Sequence, residues 1–337
     1  MTEHTRTLEI HTSPHIASGA SVDVIMRNVV WALLPVAAFA VYSFGLAALF
    51  TLVAAVLSCV LTEHFMCRAT GAPTTVKDWS VTITGLLYGL TLPPALPLWM
   101  VVCGGVIGVA MGKFLFGGLG YNAFNPALVG RAFLQAAFPA AMTSWTPALA
   151  AERFTSLPAS SLTFPFAAPQ YDAVSGATPL SLFKFDGQLT ETGDLLLGLT
   201  NGSSGETCAL LILAGGIYLA ARNMMNWRIP VSIFATVALL SWGFHLLDPA
   251  AYPPPGFMLF SGGLMLGAVF MATDMVASPI TATGSVVYGI LIGVLIIVIR
   301  LWGGMPEGVM YAILLANAVS PHIDWLIRPR VYGTGRA

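Results

Sequence analysis

Long apolar runs separated by short polar intervals make up most of the chain and predict membrane-spanning helices. Ten runs approach the roughly 20 residues that a helix needs to cross a bilayer. We place them at 28–44, 46–66, 80–97, 98–116, 123–139, 194–221, 229–247, 256–272, 284–302 and 308–327. The longest polar interval, 140–193, separates the first five runs from the last five.

Proline, glycine and polar residues break this pattern at three places. They are "LTLPPALP" (Leu90–Pro97), "LTNGSSGET" (Leu199–Thr207) and "ATDMVASP" (Ala272–Pro279). Irregular backbone at membrane depth is tolerated only where protein or a cavity satisfies its polar groups. The breaks therefore predict a lined interior site rather than a plain helix bundle.

Two halves of five spans joined by one polar loop predict an inverted repeat, because an odd number of spans turns the second half over. "GGVIGV" (Gly104–Val109) resembles "YGILIGV" (Tyr288–Val294), although "GLT" at Gly89–Thr91 and Gly198–Thr200 is a competing echo. The predicted fold is all-α, with about ten transmembrane helices, some of them broken. Its parts are an N-terminal segment (1–27), a first half (28–139), a loop (140–193), a second half (194–327) and a tail (328–337).

Composition agrees with a membrane location, and the basic residues suggest an orientation. Only 9% of the residues are charged, whereas soluble domains have about a quarter. With the N-terminus in the cytoplasm, most lysines and arginines fall on the cytoplasmic side, and the loop 140–193 faces outward. We expect no cleavable signal peptide in the polar stretch 1–23. The net charge of −1 gives no reason to expect nucleic-acid binding.

One loop segment, "YDAVSGATPL" (Tyr171–Leu180), concentrates small, polar and turn-forming residues. Gly176 permits a tight turn, Ser175 can cap it, and Pro179 stiffens the backbone after Thr178. This pattern predicts a threonine hydroxyl presented on an ordered turn. The alternative interpretation is a capped turn from which "TPLSLF" starts a short helix.

Four more polar residues lie in or near apolar runs. Asn122 and Asn125, three residues apart at a predicted helix start, would project to one face and offer amide donors and acceptors, or simply cap the helix. Asp274 is an ionisable residue beside a break, and at membrane depth such a residue indicates a functional role by default. The alternative interpretation is an N-cap at a turn. Glu206 is predicted to cap a half-helix, with cation handling as the alternative.

Metal and nucleotide chemistry find little support in the sequence. Cys59, Cys67, Cys103 and Cys208 form no C-x-x-C pair and are expected to be small core residues. No G-x-G-x-x-G opens a strand-to-helix unit, so nicotinamide binding is not expected in this chain. We predict neither a metal site nor a catalytic residue.

Several motifs nevertheless resemble one known family. "DAVSGATPL" (Asp172–Leu180) is similar to the flavin-attachment motif of the D subunits of Rnf ion-translocating electron-transport complexes. The related B subunits of sodium-translocating NADH:quinone oxidoreductases have a similar S-G-A-T. The resemblance extends to "GLGYNAFNPALVGRAF" (Gly118–Phe133), "GSSGET" (Gly202–Thr207), "FMATDMVASP" (Phe270–Pro279) and "SPH" (Ser13–His15).

The resemblance implies two flavins. FMN would be joined to Thr178 through a phosphoester by a separate flavin transferase that uses FAD. Asp172, Ser175, Gly176 and Ala177 would form the recognised frame. A second, non-covalent riboflavin would lie in the membrane interior, in contact with Asn122, Asn125 and Asp274.

The same resemblance implies a setting for this chemistry. The chain would be a multi-pass flavoprotein of the bacterial inner membrane, with a scaffold similar to urea and ammonium channels and the attachment loop in the periplasm. It would work beside iron–sulfur and FMN-bearing subunits that exchange electrons between NADH and ferredoxin and move sodium or protons. Two rival interpretations need no flavin: a small-solute channel or secondary transporter, and a passive scaffold for a partner's cluster.

Overall fold

A computed structural model describes residues 21–71, 74–165, 167, 176–206 and 208–329. The regular secondary structure of these residues is helical, so the all-α prediction is confirmed for them. Their α-helices are α1 (Val22–Phe44), α2 (Leu46–Thr70), α3 (Ser80–Leu90), α4 (Leu98–Val109), α5 (Pro126–Ala137), α6 (Pro139–Met142), α7 (Pro179–Ser181), α8 (Thr192–Leu197), α9 (Ala209–Ala221), α10 (Arg228–Leu247), α11 (Pro255–Phe260), α12 (Leu264–Leu266), α13 (Ala282–Trp302) and α14 (Val309–Leu326).

Wider and tighter helical turns complete the described fold. π-helical turns, whose backbone bonds join residue i to residue i+5, extend α4 over Ala110–Phe114, α7 over Leu182–Asp186 and α12 over Gly267–Met271. Two short 3₁₀ turns lie at Val76–Asp78 and Ala159–Leu162.

Among the described residues, four helices are long and apolar enough to cross a membrane: α1, α2, α10 and α13. Helices α3, α4 with its extension, and α9 are apolar but shorter. The apolar helices identify a multi-pass membrane protein, as predicted. The count of ten crossings, the orientation and the inverted repeat stay predictions.

Three of the predicted spans are not continuous helices. The third stops at Leu90, where "LTLPPALP" begins, instead of reaching residue 97. The sixth is split between α8 and α9, and the eighth between α11 and α12. Apolarity along the chain sets where a segment lies, whereas glycine and proline decide whether its backbone can stay helical.

Small residues allow close helix packing in both halves of the chain. Helix α2 packs against α4, where Ser58 faces Gly105, and α10 packs against α13, where Ser232 faces Gly289. Small residues at such interfaces let helix backbones approach closely, which is how helices associate in lipid.

Two of the predicted breaks satisfy each other's backbone groups. Ser204 donates from its backbone N–H to the carbonyl of Leu92 at 3.1 Å, and the N–H of Gly205 donates to the carbonyl of Leu90 at 2.7 Å. The break after α3 is thereby joined to the break before α9. This arrangement confirms the expectation that irregular backbone here lies against protein.

A further break, at Ser261–Gly263 between α11 and α12, was not predicted. Gly262 has φ +63, a left-handed conformation that glycine adopts readily. Arg300 donates to the freed carbonyls of Met258 at 2.6 Å and Ser261 at 2.9 Å, and Glu307 accepts from the N–H of Gly263 at 3.2 Å. The "SGG" triplet (Ser261–Gly263) is the sequence signal for this break.

Candidate functional site

Thr178 lies at the start of a short helix and caps it. Its backbone is extended, and its Oγ1 accepts a hydrogen bond from the backbone N–H of Ser181 at 3.3 Å. The hydroxyls of Thr178 and Ser181 share a further bond of 2.8 Å, and Pro179 occupies the first helical position, where its missing N–H costs nothing. The short helix predicted from "TPLSLF" is confirmed, and Thr178 is half-buried at its N-terminus.

The segment before Thr178 is held against the loop that follows α6. The N–H of Gly176 donates to the carbonyl of Trp145 at 3.0 Å. Asn201 lies against Gly176, and its Oδ1 accepts from the N–H of Ala148 at 2.9 Å. A Cβ on residue 176 would lie 2.2 Å from Nδ2 of Asn201, so a larger residue here would force the Asn201 side chain to shift. Ala177 is exposed, and Asp172 and Ser175 lie outside the described residues.

Lys184 fixes the far end of this segment. Its ammonium donates to the carbonyls of Arg300 at 3.2 Å and Met305 at 3.1 Å, and also to that of Gly303. These carbonyls lie at and beyond the end of α13, where a cation also complements the helix dipole. Partial burial lowers the pKa of Lys184. The helix that begins at Thr178 is thus tied to α13.

A cavity of about 480 Å³ opens beside Thr178, and we call it the Thr178 cavity. Residues from five separated parts of the chain form its wall. Among them are Arg131, Gln135, Trp145, Gly176, Ala177, Thr178, Asn201, Glu206, Phe260, Glu307 and Tyr311. Pockets that hold ligands of this general size measure about 300–1,000 Å³, so the cavity can enclose a three-ring aromatic molecule.

Arg131 and Glu206 form a buried ion pair in this wall. Nη1 of Arg131 lies 3.1 Å from Oε1 of Glu206, and their side chains are 9% and 7% exposed. The predicted role of Glu206 as a helix cap is wrong, because α9 begins at Ala209 without a side-chain cap. The charge of Arg131, which lies on α5, offsets the cost of burying this carboxylate.

A second, smaller cavity of about 130 Å³, which we call the Asn122 cavity, is lined by the other three residues predicted to bind a flavin: Asn122, Asn125 and Asp274. Asn122 donates from Nδ2 to Oδ2 of Asp274 at 3.2 Å, and Oδ1 of Asp274 accepts from the N–H of Val276 at 3.1 Å. Asp274 thus closes a turn and binds Asn122 across the two halves. Asn122 precedes α5 instead of lying on it, so the prediction of a shared helical face is wrong.

Asn125 lines the same cavity as the N-cap of α5. Its Oδ1 accepts from the backbone N–H groups of Ala127 at 3.0 Å and Leu128 at 3.4 Å. Its Nδ2 donates to the carbonyl of Met271, in the π-helical turn after α12, at 3.3 Å. The helix-capping interpretation of Asn125 is therefore confirmed. Both the oxygen and the nitrogen of its side-chain amide thus form hydrogen bonds to the protein backbone.

A buried ion pair beside this cavity was missed by the sequence reasoning. Nζ of Lys113 lies 2.7 Å from Oε2 of Glu63, and both side chains are buried. Lys113 also donates to the hydroxyl of Ser80 at 2.8 Å, and the hydroxyl of Thr75 donates to Oε1 of Glu63. Glu63 is the single acidic residue in the apolar run 46–66. An ionisable residue at membrane depth is the sequence signal that could have identified this pair.

Helix α5 connects the two cavities. Pro126 at its start lines the Asn122 cavity, while Arg131 and Gln135 line the Thr178 cavity. At 1.5 Å per residue, Pro126 and Gln135 are about 14 Å apart along the axis. A third, very small cavity between them is lined by Arg131, Glu206 and Met271, among other residues.

Comparisons with known proteins agree with the motifs. A family model described as the NQR2, RnfD, RnfE family matches residues 9–333. The D subunit of the proton-translocating ferredoxin:NAD(+) oxidoreductase complex of Clostridium ljungdahlii is 41% identical, over 97% of this chain and 96% of that protein. Its Na(+)-translocating counterpart in Acetobacterium woodii is also 41% identical, over 97% and 95%. The D subunit of an ion-translocating oxidoreductase complex of Halorhodospira halophila is 39% identical, over 97% and 96%.

Proposed function

The chain belongs to the NQR2, RnfD, RnfE family, and from this premise we propose that it is the flavin-carrying D subunit of an ion-translocating ferredoxin:NAD(+) oxidoreductase complex. The family resemblance predicted from the motifs is confirmed. Electrons would pass through a flavin on this subunit to and from partner subunits, and the complex would couple their passage to ion movement.

The observation that carries the proposal is the position of Thr178 at the wall of a cavity large enough for a flavin ring. The Thr178 cavity has a volume of about 480 Å³, and Thr178 is part of its lining. Polar side chains lie in the same wall, among them Arg131, Gln135 and Asn201. A flavin's pyrimidine edge carries the hydrogen-bond acceptors and donor that match such side chains.

The residues have distinct roles in this proposal. Thr178 would hold FMN through a phosphoester, and the flavin would supply reversible electron transfer. Gly176 and Asn201 position the threonine against the loop after α6, while Lys184 holds the following helix on α13. The cavity wall would position the ring and set its electrostatic surroundings. Asp172 and Ser175 complete the proposed frame for the flavin transferase.

A second flavin, riboflavin, is proposed at Asn122, Asn125 and Asp274. The Asn122 cavity, at about 130 Å³, is smaller than a three-ring molecule requires, so binding there needs the surrounding side chains to move apart. The Asn122–Asp274 bond is the contact that a ligand would exchange, because Asn125 is held on both sides by backbone. Helix α5 lines both cavities, and this proximity supports two flavin sites between which electrons would pass.

Partners and orientation follow from the same premise. The sequence has no dinucleotide-binding glycine motif, so nicotinamide chemistry would lie on a partner protein of the complex, beside iron–sulfur and FMN-bearing subunits. We place the chain in the bacterial inner membrane with the loop 140–193 in the periplasm. A maleimide that cannot cross membranes should label Thr155→Cys, which is an exposed loop position, in intact cells from which the outer membrane is removed. Labelling only after lysis would reverse the orientation.

In-gel fluorescence tests the covalent flavin. The full chain, produced together with a flavin transferase, should give a fluorescent band after denaturing electrophoresis and an added mass of one FMN less water. Thr178→Ala should lose both signals, and Thr155→Ala, on an exposed part of the same loop, should keep them. A wild-type chain of unmodified mass would overturn the proposal in favour of a channel or transporter. A modified Thr178→Ala chain would place the attachment elsewhere.

A further inference from the structure

Arg131 is a buried cation whose hydrogen-bonding capacity is only partly used. It lies on α5, contributes to the wall of the Thr178 cavity and is buried. Nη1 binds Oε1 of Glu206, whereas Nε is buried without any partner. A guanidinium has five N–H donors, and leaving one buried and unbonded carries a free-energy cost. The fold compensates this charge through Glu206 at the wall of the cavity.

Among the described residues, the other charged side chains near the cavity are occupied by the fold itself. Arg300 donates to the carbonyls of Met258 and Ser261 at the helix break and lies 3.5 Å from Glu307. Glu307 accepts from the backbone N–H groups of Gly263 and Val309. Arg131 is therefore the wall cation that faces a ligand, and Glu206 is the carboxylate that compensates it.

We infer that Arg131 raises the reduction potential of the flavin ring held in the Thr178 cavity, and that Glu206 limits the increase; this inference rests on the proposed covalent flavin. A ring gains negative charge as it takes up electrons. A cation in a poorly screened cavity stabilises the reduced form more than the oxidised form. The neighbouring carboxylate acts in the opposite direction.

Removing the cation and removing the carboxylate should shift the midpoint potential in opposite directions. Residues with only a structural role would not produce such opposite shifts. Arg131→Met removes the cation and leaves Glu206 uncompensated, so the midpoint potential should fall. Glu206→Gln keeps the cation and removes its compensation, so the potential should rise. The double variant, Arg131→Met with Glu206→Gln, lacks both the increase from the cation and the opposing effect of the carboxylate, so its potential should lie between those of Arg131→Met and wild type. The potential of Arg131→Lys should also lie between those two values.

The measurement is a spectroelectrochemical titration of the purified full chain, matured with flavin transferase, at one fixed pH with dithionite as reductant. The Thr178→Ala chain supplies the blank, because it subtracts any flavin that is not attached there. Arg153→Met is the matched control: this arginine binds the backbone of Tyr42 and Ala150 and lies outside the cavity wall. Its potential should equal that of the wild type.

The outcomes separate the two proposals. Absence of covalent flavin in the wild type would refute the flavin on Thr178 itself. With covalent flavin present, equal potentials in Glu206→Gln and wild type, or shifts of the same sign in Glu206→Gln and Arg131→Met, would refute the role of Arg131. If Arg131→Met fails to fold, the rise in Glu206→Gln and the fall in Arg131→Lys still decide the matter.

Discussion

Nζ of Lys184 lies 3.2 Å from the carbonyl oxygen of Arg300, joining the helix that begins at Thr178 to the end of α13. This contact and its two companions are hydrogen bonds from a charged donor, each of which contributes about 1.5–3 kcal/mol. Lys184→Met should therefore let residues 179–186 open more often. We expect their amide hydrogens to exchange at least about tenfold faster, since even one such bond is worth about 1.5 kcal/mol or more and 1.4 kcal/mol corresponds to about a factor of ten.

Hydrogen-exchange mass spectrometry in detergent measures this effect. Lys77→Met is the matched control, because Lys77 is exposed and lies in the 3₁₀ turn before α3. Exchange at 179–186 that is unchanged in Lys184→Met would show that the three carbonyl contacts do not hold the segment.

Gly176→Ala should reduce flavin attachment by steric conflict. The added Cβ would lie 2.2 Å from Nδ2 of Asn201, and overpacking of this kind costs about 1–3 kcal/mol. We expect the fluorescent band to weaken by about fivefold or more, which is the effect of one to two kcal/mol on an equilibrium. Adding Asn201→Ala makes room and should restore most of the band. A double variant as weak as Gly176→Ala would show that residue 176 acts through something other than this contact.

Lys113→Met should destabilise the protein strongly, because it leaves the carboxylate of Glu63 buried without its cation. Loss of one partner of a buried ion pair costs about 3–5 kcal/mol. The double variant with Glu63→Gln should recover much of this loss. Thermal unfolding followed with a thiol-reactive dye is suitable, since Cys59 and Cys67 are buried and become reactive on unfolding. Equal unfolding temperatures for Lys113→Met and wild type would contradict the prediction.

Asn122→Ala and Asn125→Ala should have different effects. Loss of the N-cap in Asn125→Ala should lower the free energy of unfolding by about 0.5–2 kcal/mol. Asn122→Ala leaves α5 capped and should mainly reduce the riboflavin released when the protein is acid-precipitated, measured by chromatography. Wild-type protein that releases no riboflavin would refute the second flavin, and equal release from Asn122→Ala would refute its contact with Asn122.

Features that depend on one segment could be predicted from the sequence. Apolar runs placed the helices, the proline and glycine clusters placed two breaks, and "TPLSLF" gave the short helix at Thr178. These rest on local backbone preference and on burial in lipid. Helix capping was also one of the two interpretations of Asn125, and asparagine before proline at a helix start is a local signal for it.

Features that depend on two distant segments could not be predicted. Arg131 pairs with Glu206 and Lys113 with Glu63, yet nothing within either segment identifies its partner. Glu206 was assigned to its own helix because a dipole interaction is local, whereas the structure gives it a partner on α5. The dimensions of the Thr178 cavity likewise depend on how separated segments pack.

The bonds that join Leu90 and Leu92 to Gly205 and Ser204 also constrain how the chain is made. Their acceptors leave the ribosome roughly 110 residues before their donors, which at 5–20 residues per second is an interval of about 6–20 s. During that time the first half has carbonyl groups that lipid cannot satisfy. Membrane insertion of the nascent chain therefore needs water or an insertase beside this site until the second half arrives.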